Sequence, residues 1–88
     1  MIERQVRIVN SLGLHARAAA RFVGLASRFG SHIRVAVGDR VMDGKSILGL
    51  LLLSAARGTT LTISAEGSDA EAAVAALAAL ATRGFEDP

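Results

Sequence analysis

The residues best suited to chemistry are Gly13-Leu14-His15-Ala16-Arg17, at the head of a segment whose periodicity is helical from Ala16 to Phe29. They place an imidazole at a helix start and a guanidinium two residues on. A helix start carries unpaired backbone N–H groups and the positive end of the helix dipole, so it favours anions. A ring nitrogen there that keeps its lone pair is a nucleophile towards phosphorus, and the phosphorylated ring is an anion that N–H groups and a guanidinium can receive. The dipole is worth about 0.3–1 kcal/mol, and up to about 2 in a partly buried setting, enough to steady a phosphohistidine without trapping it. That balance suits a carrier, whose group must leave as readily as it arrives. His15 is therefore the candidate acceptor and Arg17 the candidate phosphate stabiliser. Taken alone, His15 would read as a surface histidine at a turn; its neighbours change that reading.

A second group of residues lies in Ser46-Ile47-Leu48-Gly49-Leu50-Leu51. Ser46 suits the N-cap of a short helix running from Ile47 to about Ser54. On that helix Leu50 and Leu53 share one side, assigned to the core, and Ile47, Leu48 and Leu51 lie opposite. A small two-layer domain cannot bury both sides of a peripheral helix, so the second side is expected to be a contiguous docking patch. A phosphate on Ser46 would meet the favourable end of the dipole and put charge beside that patch, an off-switch for docking. Arg17, Arg21 and Arg28 form a stripe beside the apolar face of the first helix; it is either simply solvated or steers acidic partners to His15. His32 reads as an exposed strand residue without a role. With one other histidine in the chain and no clustered carboxylates, neither a metal site nor any cofactor is expected.

The elements that position these residues follow from the hydrophobic period. Glu3 to Val9 alternates with Arg4, Val6 and Ile8 on one side, which predicts a half-buried strand, and Asn10 to Gly13 a turn. The first helix should bury Ala18, Phe22, Leu25, Ala26 and Phe29, with Gly30 just past its end. Ile33, Val35 and Val37 mark a second strand. Gly38-Asp39 is a two-residue hairpin turn that sets Met42 opposite Val35. Thr60 to Glu66 is a fourth strand, with Leu61, Ile63 and Ala65 inward. Ser68-Asp69-Ala70-Glu71 reads as a capping box for a last helix to about Arg83, with Val74, Leu77 and Leu80 in the core; Gly84 stops it and Phe85 folds back. The order βαββαβα, with strands apolar on one face, predicts an α+β fold: one antiparallel sheet covered by helices on one side.

Bulk properties narrow the classes. The chain has 88 residues, expected to form one compact domain over 1–88, and 51% of them are hydrophobic against 20% charged, which excludes disorder. It has no cysteine, hence no disulfide framework and no thiolate metal site. The start, Met1-Ile2-Glu3-Arg4, shows no charged-then-apolar leader, and the apolar run Ile47–Leu53 is too short to span a bilayer; a soluble cytoplasmic monomer with no membrane insertion is expected. The net charge is +2 while the pI is about 10.5, because every base but Lys45 is arginine and no Tyr or Cys titrates in between. A small nucleic-acid-binding module is the reading of a different class that the arginines suggest. Against it, aromatics are 3% and all are Phe, with none placed as a stacking platform.

Asn10-Ser11-Leu12-Gly13-Leu14-His15-Ala16-Arg17 and Asp43-Gly44-Lys45-Ser46-Ile47-Leu48-Gly49, at this separation, resemble the motifs of HPr, the histidine-containing phosphocarrier family of the bacterial sugar phosphotransferase system. The likeness covers essentially the whole chain. It implies an open-faced sandwich of strand order 1-4-2-3. It also implies that His15 accepts a phosphoryl group on Nδ1 from the phosphoenolpyruvate-dependent first enzyme and passes it to a histidine of a IIA component. Such a protein is a carrier in a relay, not an enzyme with its own turnover. Arg17 matches the arginine that contacts the phosphate. Ser46 matches a regulatory serine that a dedicated kinase, with its phosphorylase, modifies in many members. Ile47, Leu48 and Leu51 match the docking surface, together with Ala20 and Arg21 on the exposed side of the first helix. A regulatory protein of the same fold, serving a nitrogen-related phosphorelay and acting partly through Ser46, is an alternative within the family. Two departures stand out: Ala18 occupies a position where the family usually has proline, and the run Leu50-Leu51-Leu52-Leu53 is unusually rich in leucine.

Overall fold

Alternation of apolar and polar residues builds the sheet. In a computed structural model describing residues 1–86, strands β1 (Ile2–Arg7), β2 (His32–Val37), β3 (Arg40–Asp43) and β4 (Thr60–Glu66) form one antiparallel sheet of order β1-β4-β2-β3. Along central β4, Leu61, Ile63 and Ala65 are buried while Thr60 and Glu66 are exposed. The β2–β3 hairpin closes as its residues predict. Val37 pairs with Arg40 and Val35 with Met42, and the turn between them begins at Gly38 with φ 58°, a conformation glycine adopts without a side-chain penalty.

Helices α1 (Ala16–Ala26), α2 (Ile47–Leu52) and α3 (Ala70–Thr82) cover one face. α3 packs on β1 and β4, and α1 packs against both α2 and α3. Phe22, Ile8, Ile33, Leu50, Leu61, Ile63, Leu77 and Phe85 are fully buried between the layers. Each such side chain contributes about 1.5–3 kcal/mol of transfer free energy. The many alanines of α3 supply helix propensity, and Ala70, Ala73, Ala78 and Ala81 are short enough to be buried on the sheet side. No helix among the described residues is long and apolar enough to cross a membrane.

The helix ends depart from the sequence reading. α1 stops at Ala26, with Ser27 as C-cap, rather than continuing to Phe29. Arg28 and Phe29 continue in tighter turns, their N–H groups donating to Leu25 O and Ala26 O at 3.1 Å. Phe29 still packs on the core, which is why the apolar period ran past the helix. Gly30 is not a left-handed cap; its N–H donates to Asp69 Oδ2 at 2.8 Å. That same carboxylate overturns the capping box. The N-cap of α3 is Asp69, not Ser68, and it makes no side-chain cap bond. Its Oδ1 instead accepts the N–H of Ser31 at 3.0 Å and also the Ser31 hydroxyl. Several donors converging on one carboxylate outcompete a single local cap bond. α2 also ends early, at Leu52, with Leu53 as its C-cap.

The Ser31 hydroxyl, then the Gly30 N–H, hold the Asp69 carboxyl below the usual carboxylate range. As the pH falls, the unfolded chain therefore takes up this proton first. The stabilisation is full above the ordinary Asp value of about 3.9 and is lost as pH drops from there through the lower folded-state value. Asp69→Asn is expected to lower Tm at pH 7 and to flatten the Tm–pH curve below about pH 4 relative to the wild type. Parallel curves for the two proteins would show that the carboxylate contributes nothing through its charge.

Candidate functional site

His15 is delivered to its place by a loop pinned to the rest of the molecule. Past β1, Ile8 donates its N–H to Thr59 O at 2.9 Å and accepts from Gly58 N at 2.8 Å, which extends the β1–β4 pairing. Asn10 is buried, and its Nδ2 donates to Gly13 O at 2.8 Å while Gly13 N donates back to Asn10 O at 3.1 Å. Gly13 then turns at φ 66°, and the N–H of buried Leu14 donates to Ala55 O at 2.9 Å. The next residue is His15. Asn10 reads from the sequence as a turn residue, and its burial and side-chain bond to Gly13 O make it a member of the site's support. Its signal was an Asn three residues before a Gly.

His15 is the N-cap of α1, with extended backbone at φ −78° and ψ −179°. Its carbonyl accepts the N–H of Ala19 at 2.8 Å, the first bond of the helix. Its ring performs the work of a capping side chain, Nδ1 accepting the N–H of Arg17 over a long 3.3 Å. A nitrogen that accepts carries no proton, so the lone pair of Nδ1 is directed into the helix terminus. Nε2 is shut away from solvent. No acidic residue lies in the first turn to compete for its N–H groups. A negatively charged group attached to Nδ1 would thus meet amide donors and the dipole at a site only partly exposed.

Ala18, at the third position of α1, is fully buried, and its N–H precedes the first helical bond, made by Ala19 N. Proline there would remove no intrahelical bond and would restrict the unfolded chain. Ala18→Pro is expected to be tolerated and to stabilise by about 0.4–1 kcal/mol, read as a rise in Tm; a drop would mean the ring does not fit the packing around residue 18.

The remaining candidates divide. Arg17 and Ala20 are exposed on α1. Arg21 is partly buried, and its Nη1 donates to Phe85 O at 2.9 Å and Glu86 O at 2.6 Å. It thereby holds a turn in which Gly84, Phe85 and Glu86 all have positive φ, at 68°, 57° and 58°. Phe85 is folded back to 0% exposure, as its sequence suggested. Ser46 caps α2, its Oγ accepting Gly49 N–H at 3.0 Å. Lys45 ties this start to the end of the α1 region, with Nζ donating to Phe29 O at 2.7 Å. Ile47 and Leu48 are 43% and 68% exposed. Leu51 differs from its expected place. It is half-buried and packs on the core, while Leu52, assigned to neither side, is 51% exposed. A helix seated on both α1 and β3 covers more than the single side that Leu50 and Leu53 define. Because α1 and α2 pack together, His15 and Ser46 cap neighbouring helices on the same layer.

Comparison with known proteins agrees with this architecture. The family model described as "PTS HPr component phosphorylation site" matches residues 2–83. The chain is 44% identical over 86 residues to phosphocarrier protein NPr of Shewanella violacea, covering 98% of this chain and 94% of that protein. It is 41% identical over 85 residues to phosphocarrier protein HPr of Cupriavidus necator, covering 97% and 96%. Among solved structures, HPr of Thermoanaerobacter tengcongensis superposes with a TM-score of 0.95 at 41% identity, covering 100% of this chain and 99% of that one. The open-faced sandwich, its strand order and an end-to-end likeness to named phosphocarriers lead to one conclusion: the chain belongs to the HPr family of phosphocarriers of the phosphotransferase system.

Proposed function

We propose that this chain is the relay step in which His15 Nδ1 takes a phosphoryl group from the phosphoenolpyruvate-dependent first enzyme and passes it to a histidine of a IIA component. The lone pair of Nδ1 forms a P–N bond as the P–N bond to the donor histidine breaks, and the reverse exchange delivers the group to the acceptor. The observation that carries the reading is the pose of the ring: Nδ1 at the amide terminus of α1, Nε2 enclosed. In the phosphorylated form the Arg17 N–H turns from ring nitrogen to phosphate oxygen, and the Arg17 guanidinium adds charge-assisted bonds. Little covalent work falls to the protein, so positioning and electrostatics do the rest, and the carrier has no turnover of its own. Ile47 and Leu48, with Ala20, Arg21 and the edge of Leu51, form the surface on which partners dock transiently as the protein acts as a cytoplasmic monomer.

Incubation with phosphoenolpyruvate and the cognate first enzyme tests this: the expected product carries one acid-labile, base-stable phosphate. A phosphate stable to acid, or none, would overturn it. Ser46 is the proposed regulatory position, the substrate of a serine kinase. Ser46→Asp is expected to weaken binding to the first enzyme by about tenfold, since it sets a charge beside exposed Ile47 and Leu48. Unchanged affinity in a titration would remove Ser46 as a switch. A second reading, a nitrogen-related regulatory relay, is favoured by the likeness to an NPr carrier, which matches this chain as well as the HPr relatives do. Comparing phosphorylation rates with each candidate first enzyme separates the two.

A further inference from the structure

α1 has a second feature away from its N-terminus. Arg21, Gly24, Leu25 and Arg28 recur at helical spacing and face Leu80 and Arg83 across an open cleft of about 460 Å³. That volume is within the range of small-molecule sites. Its floor is apolar, from Leu25 and Leu80, and its walls carry the guanidinium groups of Arg21, Arg28 and Arg83 together with the Glu86 carboxylate. Gly24 lines it without a side chain. It sits exposed in a helix interior, where glycine costs stability relative to alanine, and a Cβ added there would meet nothing within 4 Å. Arg21 is engaged by the carbonyls of Phe85 and Glu86, so it serves as a fixed wall. The Arg28 side chain makes no hydrogen bond or ion pair among the described residues and is exposed. Arg83 lies 3.5 Å from the Glu86 carboxylate, both side chains more than half exposed at 54% and 60%. A pair so well solvated is worth little, and a stronger anion can exchange with it.

We infer that the α1–α3 cleft binds a small phosphomonoester, with Arg28 and Arg83 taking the phosphate and Leu25 and Leu80 the carbon body. Guanidinium forks match phosphate oxygens in pairs, and two of them flanking an apolar floor suit a ligand that is anionic at one end and apolar at the other. A bare anion would leave the floor unused, and an uncharged apolar molecule would leave the arginines unmet. The site is separate from His15, and Arg21 is the residue it shares with the proposed docking surface.

The test is a backbone amide NMR titration at constant ionic strength with phenyl phosphate, inorganic phosphate and phenol as probes. The expected result is saturable shifts at Gly24, Leu25, Arg28, Leu80 and Arg83 with phenyl phosphate, with each of the other probes weaker by about tenfold. Combining Arg28→Gln with Arg83→Gln should weaken phenyl phosphate by at least about tenfold. Gly24→Leu should abolish binding while raising Tm, because it fills the cleft and removes a helix-interior glycine. Arg17→Ala should leave the shifts unchanged. Shifts that centre on residues 13–17 and vanish in Arg17→Ala would overturn the inference, as would shifts that stay linear to the highest concentration or survive in Gly24→Leu.

Discussion

Replacing His15 by Ala is expected to leave a folded protein that accepts no phosphoryl group. The stability change is modest because the ring contributes one long cap bond, from Arg17 N at 3.3 Å, and loss of a capping side chain costs about 0.5–2 kcal/mol. A small domain retains most of a stability of about 5–15 kcal/mol after such a loss. The chemical effect has no such ceiling. Nδ1 supplies the electron pair that forms the P–N bond, and the other histidine, His32, lies exposed on β2, which belongs to the sheet rather than to any helix terminus. Transfer of labelled phosphate from the phosphorylated first enzyme should fall to background, while circular dichroism shows the same fold and a Tm only a few degrees lower. Undiminished labelling would move the acceptor elsewhere. A protein that fails to fold would be separated by His15→Asn, which keeps a capping side chain but has no nucleophilic ring nitrogen.

The second large effect concerns a residue with no chemistry. A Cβ on Gly13 would stand 2.5 Å from Ala55 O and 3.0 Å from Ala56 Cα, both backbone atoms. It would also have to sit at φ 66°, where non-glycine residues are strained by about 1–3 kcal/mol. Neither obstacle can be relieved by turning a flexible side chain. Ala55 O is moreover the acceptor for Leu14 N–H, so pushing the strands of chain apart breaks the bond that precedes His15. Gly13→Ala is expected to destabilise by about 2–4 kcal/mol from strain and overpacking together. It should also slow phosphoryl acceptance at temperatures where the protein is fully folded, because the displaced loop carries His15 off the α1 terminus. Gly38→Ala supplies the control: its φ is also positive, at 58°, but a Cβ there meets nothing within 4 Å. It should cost only the backbone strain and leave transfer untouched. Equal effects at residues 13 and 38 would mean that the contact with Ala55 is irrelevant.

The chain's own order of residues determined the sheet and the placing of the candidate chemistry. Strict alternation in Leu61-Thr62-Ile63-Ser64-Ala65, and a two-residue turn after Val37, allow one register once a face must be buried, and Met42 duly stands opposite Val35. The spacing of His15 and Arg17 at a change of period placed an imidazole at a helix start, because capping is decided within a few residues. What tertiary structure alone decided lies where a distant partner outbids a local one. Asp69 turned away from the start of α3 because Gly30 and Ser31, 39 and 38 residues away in sequence, offer it more donors. Nothing near Arg21 in the sequence announces that its guanidinium meets the carbonyls of Phe85 and Glu86, 64 and 65 residues on; the fold alone brought them together. Leu51, expected on the exposed patch, is half-buried because a helix lying on α1 and β3 together is covered on more than one side, and Leu52 is the neighbour left exposed. Local periodicity encodes which face of an element is apolar; which polar groups meet across the molecule depends on chain segments that share no period.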